Sequence, residues 1–227
     1  MRILAVVPAY NEEECLKDTI SHLVATCPSV DYVVINDGSA DSTWDIVERE
    51  GFNGVCLPVN TGLTSAFRTG MKYALAHDYD AVIQFDADGQ HDPAYIIPMA
   101  EEMERADADI VIGSRLVDGK TRIAGARGLG SRLISRLIAL TTGTTITDPT
   151  SGMRMYNHAM IEMFADGFDV APEPDTVALV ARKGGTVVEV PVEMHERQGG
   201  ESYLKLSSII RYMSRTCLSI LLFQWFR

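Results

Sequence analysis

Nowhere in its 227 residues does the chain hold the run of about 20 apolar residues that a membrane-spanning helix requires. The nearest approach, 209–226, is broken by Arg211, Arg215 and Gln224. There is no internal repeat, low-complexity tract or long linker, which excludes solenoids and tethered arrays. Cysteine is scarce. Cys15, Cys27, Cys56 and Cys217 have no paired metal-ligand spacing, and the first three fall in expected helix or strand, as small buried hydrophobes do. A reducing, cytoplasmic compartment is expected, and an apolar strand starting at Ile3 leaves no room for a signal peptide. Basic charge is nearly missing from one half: residues 1–110 carry 6 Lys or Arg against 20 Asp or Glu, whereas 111–227 carry 14 against 11. The acidic half argues against nucleic acid as a partner. The Arg-rich half suits phosphate recognition or an anionic membrane surface.

What is present is regular alternation. Apolar runs predict strands at 3–7, 31–36, 54–58, 80–85 and 109–113, and 3.6-residue periodicity predicts helices at 12–26, 41–50, 64–77 and 93–105. Asn11 and the pair Asp41-Ser42 stand at expected helix starts. Beyond residue 113 the pattern loosens to an amphipathic basic helix at 128–141, a polar loop at 141–153, a helix near 174–184, a strand at 186–192 and a final helix at 204–225. The pattern predicts an α/β fold with a doubly wound, mostly parallel sheet, helices on both faces and a C-terminal amphipathic helical extension. Ligands of such sheets bind beyond the carboxyl ends of the strands, where every distinctive motif here falls.

The most informative of these is Asp86-Ala87-Asp88-Gly89-Gln90-His91, just past the fourth strand. Two carboxylates one residue apart at a strand end can share a hard divalent cation, Mg²⁺ or Mn²⁺, that takes its remaining ligands from substrate phosphates. A solvated acidic turn is the plain alternative. A calcium loop is excluded by spacing, since its sixth and twelfth positions would be His91 and Ile97 instead of Gly and Glu. Asp37-Gly38, after the second strand, joins an acceptor for ribose or nucleobase to a residue that lets the backbone approach closely. Helix capping is the competing reading there.

In order, Pro8-Ala9-Tyr10-Asn11-Glu12, Asn36-Asp37-Gly38-Ser39 and Asp86-Ala87-Asp88-Gly89-Gln90-His91 resemble the family 2 glycosyltransferases of GT-A fold. Within that family the chain is most similar to the dolichyl- or polyprenyl-phosphate sugar synthases. The likeness runs on through Gly113-Ser114-Arg115, Asp148-Pro149-Thr150-Ser151-Gly152-Met153-Arg154, Glu173-Pro174-Asp175, Glu189-Val190-Pro191-Val192 and Arg197-x-x-Gly200-Glu201-Ser202. It implies a catalytic domain at 1–203, with a nucleotide-binding half (1–113) and an acceptor half (114–203), followed by a helix at 204–227. It implies a donor site at Pro8, Ala9, Tyr10, Glu12, Ile35, Asp37, Asp86, Ala87, Asp88, Arg115 and Arg197, and a metal at Asp86, Asp88 and Gln90. The acceptor phosphate would meet Arg115, Arg127 and Arg132; Asp88, Asp148, Glu173 and Arg197 are the candidate catalytic residues. After Ser202 the chain departs from the usual pattern with Tyr203-Leu204-Lys205, which leaves GDP-mannose, UDP-glucose and UDP-N-acetylglucosamine open as donors.

The implied reaction is metal-dependent inverting transfer of a sugar from a GDP- or UDP-sugar to a polyprenyl (dolichyl or undecaprenyl) phosphate. A phosphate monoester, with a second pKa near ~6, is already a nucleophile at neutral pH and needs no strong base. The alternative acceptor, a hydroxyl of a cell-envelope glycan or lipid-linked saccharide, would need Asp148 or Glu173 as base, although loop anchoring and helix capping are their plain roles. The amphipathic helices imply peripheral attachment at the inner face of the cytoplasmic membrane, or packing against the core, a small membrane-protein partner or a second copy. Nucleotidyl transfer would want a Gly-rich loop where Pro8-Ala9-Tyr10-Asn11 stands, and a non-catalytic binding module would have no need of the intact acidic set.

Overall fold

The computed structural model describes residues 1–119, 125–167, 170–195 and 206–222. Strands β1 (Ile3–Ala9), β2 (Asp31–Asn36), β3 (Gly54–Cys56), β4 (Ala81–Gln84), β5 (Ile110–Ser114), β6 (Arg154–Asn157) and β7 (Val187–Pro191) form one sheet in the order β3-β2-β1-β4-β6-β5-β7. All neighbours run parallel except β6, which is antiparallel to both β4 and β5. The parallel strands are covered on both sides, so they read as near-continuous apolar runs. Ile3, Ala5 and Val7 face one core, and Leu4 and Val6 face the other.

Eight helices supply the cover: α1 (Leu16–Thr26), α2 (Thr43–Glu50), α3 (Leu63–Ala76), α4 (Ile96–Ala106), α5 (Gly125–Thr142), α6 (His158–Asp166), α7 (Pro174–Arg182) and α8 (Leu206–Leu221). α1, α2 and α4 bury residues in the first core; α3, α5, α6 and α7 bury theirs in the second. Phe67 of α3, Tyr156 of β6 and Phe164 of α6 form a closed aromatic triangle with centroids 5.1–5.5 Å apart. Each such pair adds about 1 kcal/mol beyond area burial, so the triangle fixes β6 against α3.

Three features depart from the expected pattern. β6 and α6 fill the stretch after Met153, where no element was predicted, because Arg154-Met155-Tyr156-Asn157 is too short and too polar to read as a buried strand. Their presence puts a strand of the second half between β4 and β5, so both halves share one sheet. α1 begins at Leu16 instead of residue 12, and Asn11 is no cap: it sits at φ 56° and accepts a hydrogen bond from Ala40 N at 2.9 Å. Asp41, by contrast, does act at the start of α2, where Oδ1 accepts from Thr43 N at 3.0 Å.

Candidate active site

The parallel register brings the carboxyl ends of β1, β2 and β4 to one edge. Ala9 is level with Asn36, and Val6 with Gln84. The loops after β1 and β2 are zipped together there. Asn11 N donates to Ser39 Oγ (3.0 Å), Glu12 N to Thr43 Oγ1 (2.9 Å) and Ser42 N to Glu13 Oε2 (3.0 Å). Pro8, Tyr10 and Glu12 line this edge partly buried. Ala9, Ile35 and Ala87 prove to be core residues with buried side chains, so any contact they make with a donor runs through the backbone.

Asp37 is buried and its carboxylate is engaged. Oδ1 accepts from Thr61 N and Thr61 Oγ1, and Oδ2 from Gly62 N, each at 2.8 Å. These donors precede Leu63, so the carboxylate sits against the positive end of α3, where a negative charge is stabilised. Gly38 follows at φ 63°, and a Cβ there would come within 2.4 Å of the Val59 carbonyl carbon. Only glycine allows these two loops to touch.

Past β4, Asp86 N donates to His91 Nδ1 at 3.0 Å. An acceptor at Nδ1 puts the proton of a neutral imidazole on Nε2, which faces Asp86 Oδ2 at 3.6 Å. His91 is buried edge-on to Phe85, with centroids 5.5 Å apart, and so orients Asp86 from behind. The Asp86 side chain is 35 % exposed, whereas Asp88 is buried and accepts from Gln90 N through Oδ1 at 3.1 Å. Gln90 is tied to the segment after β7: His195 N donates to Gln90 O at 3.0 Å, and His91 bridges to Met194.

The donor set fits a hard divalent cation. Asp86, Asp88 and the Gln90 amide offer oxygen ligands, and among the described residues no third His, Cys, Asp or Glu closes a metal-binding cluster. Such a set leaves most of the coordination shell to water and substrate phosphate, as Mg²⁺ and Mn²⁺ sites do. Gly152 keeps the approach clear, since a Cβ there would stand 3.0 Å from Asp86 Oδ2.

At the same edge of the sheet, Arg115 follows β5 and is clamped by Asp148, which is fully buried. Nε donates to Oδ2 at 2.7 Å and Nη2 to Oδ1 at 2.8 Å, a bidentate pair that leaves part of the guanidinium exposed. Asp148 is thus an anchor for Arg115. Arg132 lies exposed on α5. The Arg127 side chain and Arg197 lie outside the described residues. Glu173 precedes α7, half-buried, and burial raises its carboxyl above the usual range, opposed by a hydrogen bond from Tyr212 and by the charge of Arg154. Tyr212 belongs to α8, so the final helix reaches the start of α7.

Several residues that build the site had no assigned role in the sequence. Glu189, Arg154, Gly152 and Tyr212 act through contacts distant along the chain. The one available signal was a lone carboxylate, Glu189, in the apolar strand Val187–Pro191.

The seven-stranded, mostly parallel sheet with helices on both faces has the GT-A glycosyltransferase architecture. A solved structure of glucosyl-3-phosphoglycerate synthase from Mycobacterium tuberculosis, in complex with Mn²⁺, UDP and phosphoglyceric acid, superposes with a TM-score of 0.70 at 18 % identity, over 97 % of this chain and 77 % of that one. The model of glycosyl transferase family 2 matches residues 4–164, and the chain belongs to that family; it is a glycosyltransferase. Relatives include the undecaprenyl-phosphate mannosyltransferase of Micrococcus luteus, 33 % identical over 89 % of this chain and 87 % of the relative. The polyprenol monophosphomannose synthase of Mycolicibacterium smegmatis is 29 % identical over 92 % and 83 %.

Proposed function

We propose that the enzyme moves a sugar from a GDP- or UDP-sugar to a polyprenyl phosphate, with inversion, at the inner face of the cytoplasmic membrane. The observation that carries this reading is the placing of two charged clusters past strand ends at one edge of the sheet: Asp86 and Asp88 after β4, and the clamped Arg115 after β5, with Gln84 and Ile112 both level with Arg154. The curated relatives named for polyprenyl-phosphate mannose transfer support the acceptor class, and mannose is the sugar they favour.

A cation held by Asp86, Asp88 and Gln90 would neutralise the departing diphosphate. The remaining tasks fall to side chains. Arg115, kept from swinging by Asp148, holds the acceptor phosphate with its free edge, and the family likeness assigns Arg127 and Arg132 to the same phosphate and Arg197 to the donor diphosphate. The bond from the anomeric carbon to the diphosphate oxygen breaks as one from that carbon to an acceptor phosphate oxygen forms. The acceptor is already mostly dianionic at neutral pH, so no residue need take a proton. Asp37 holds the loop under the nucleoside, and Pro8, Tyr10 and Glu12 line that pocket.

Membrane access follows from α5 and α8, which pack together. Leu129, Leu133 and Leu140 of α5 are exposed beside Arg132 and Arg136, and Leu218, Leu221 and Leu222 on and just past α8 are exposed beside Arg215. Neither helix contains Asp or Glu. Exposed leucines flanked by arginines suit an anionic lipid surface. Among the described residues no helix is long and apolar enough to cross a membrane.

One observation favours a second reading. A half-buried carboxyl with a raised pKa, as at Glu173, is what a base for a hydroxyl acceptor needs. A panel of GDP-mannose, UDP-glucose and UDP-N-acetylglucosamine with Mg²⁺ or Mn²⁺, with and without undecaprenyl phosphate, separates the two. Turnover of one donor stimulated by the lipid phosphate supports the first reading; no stimulation with any donor overturns it.

A further inference from the structure

The loop that carries Asp148 is held by a side chain from the far edge of the sheet. Glu189 of β7 is level with Ile112 of β5, three residues before Arg115. Its carboxylate accepts from Thr147 N at 2.8 Å, Asp148 N at 2.8 Å and Thr147 Oγ1 at 2.9 Å. Two consecutive backbone N–H groups aimed at one carboxylate fix the peptide planes on either side of the Thr147 Cα, and so the direction in which the chain enters Asp148. That direction is what turns Asp148 Oδ1 and Oδ2 onto Arg115. Thr147 Oγ1 also lies 3.2 Å from Ser114 Oγ, and Ser114 Oγ accepts from Val117 N at 3.1 Å, so the same clamp grips the loop on which Arg115 sits. On the loop's other flank, buried Arg154 donates to Pro149 O (2.7 Å) and Ser151 O (2.8 Å), which leaves the 147–151 segment little freedom to absorb a change at Glu189.

We infer that Glu189 is a positioning residue for the acceptor phosphate: through the backbone of Thr147 and Asp148 it sets the angle at which Arg115 meets that phosphate. The inference rests on Arg115 being the acceptor contact. The donors that Glu189 accepts from lie on Thr147 and Asp148, so a change there is expected to act on one substrate and spare the other.

The test compares Glu189→Gln, Arg115→Ala and the double variant, with undecaprenyl phosphate as acceptor and whichever nucleotide sugar the panel selects. In Glu189→Gln an amide NH₂ must face a backbone N–H, so one bond is lost and one contact turns repulsive. Acceptor KM is expected to rise about tenfold, with donor KM within about twofold of the parent. In the Arg115→Ala background the same change should add almost nothing, because the group being aimed is gone. Thr147→Val, which deletes the hydroxyl's contacts with Glu189 and Ser114 and keeps both backbone bonds, should raise acceptor KM about threefold and decides the matter if Glu189→Gln fails to fold. The inference is overturned by an unchanged acceptor KM in Glu189→Gln or Thr147→Val, by equal loss for both substrates, or by a full additive penalty on top of Arg115→Ala. If Arg115→Ala itself leaves acceptor KM unchanged, the reading of Arg115 falls, and the inference about Glu189 falls with it.

Discussion

The two halves of the crevice are built in opposite ways. On the proposed donor side, the acid pair sits within a few residues of a strand end and is fixed by short-range bonds, Gln90 N to Asp88 and Asp86 N to His91. On the acceptor side, Arg115 depends on Asp148, 33 residues away, and Asp148 depends on Glu189, 41 residues further. Charge divides the same way, with acids concentrated in residues 1–110 and arginines beyond them. A metal site needs carboxylates at fixed separation, which a strand end supplies directly. A site for a lipid phosphate must instead hold a long, flexible cation still, and that takes buried partners from elsewhere in the fold.

Breaking the donor wall should cost most. Asp88→Ala removes a proposed metal ligand and is expected to lower turnover by about 10²–10³-fold or more, with loss of Mn²⁺-dependent nucleotide binding in calorimetry. Full activity would end the metal assignment. Arg115→Ala should be milder and one-sided: acceptor KM rises about 10–100-fold while nucleotide affinity holds, because a charge-assisted contact is worth about 1.5–3 kcal/mol. Equal loss of both substrates would erase the division between the walls.

That division also governs what could be read from the chain. The six parallel strands and most of the helices between them follow from apolar runs and periodicity, and Asp86, Asp88 and Gln90 stand in one short motif. β6 was hidden because its four residues include a buried arginine and a buried tyrosine, which satisfy tertiary needs at the expense of strand pattern. Asp37 was legible as important, yet the bonds to Thr61 and Gly62 depend on a loop 24 residues away. Likewise no periodicity announces that Glu189 serves Arg115, since its three bonds are all to a loop in another part of the chain.

Asp37 and the leucine face sharpen the comparison further. Asp37→Ala strands the donors at the start of α3 and should destabilise the fold by about 2–3 kcal/mol, read as a lower denaturant midpoint. An unchanged midpoint would mean that the carboxylate is free for ligand. Replacing Leu129, Leu133 and Leu140 together by Ser should leave the donor side intact while reducing sedimentation with vesicles containing anionic lipid at least about tenfold. Equal binding by the triple variant would move the docking surface elsewhere.

The smallest expected effect concerns Glu173, where the start of α7 meets Tyr212 of α8. Burial raises its carboxyl above the ordinary range, so ionising it costs the folded state more than the unfolded chain. The contribution is therefore fully present below the ordinary carboxylate pKa and is lost as pH climbs through the raised one. Glu173→Gln keeps an acceptor for the Tyr212 hydroxyl and removes the ionisation. Its melting temperature should match the parent near pH 4 and exceed it at pH 8, with transfer to undecaprenyl phosphate retained because that acceptor needs no base. A melting difference that is constant across pH would remove burial as the cause. Loss of transfer with the fold intact would turn Glu173 into the base that a hydroxyl acceptor demands.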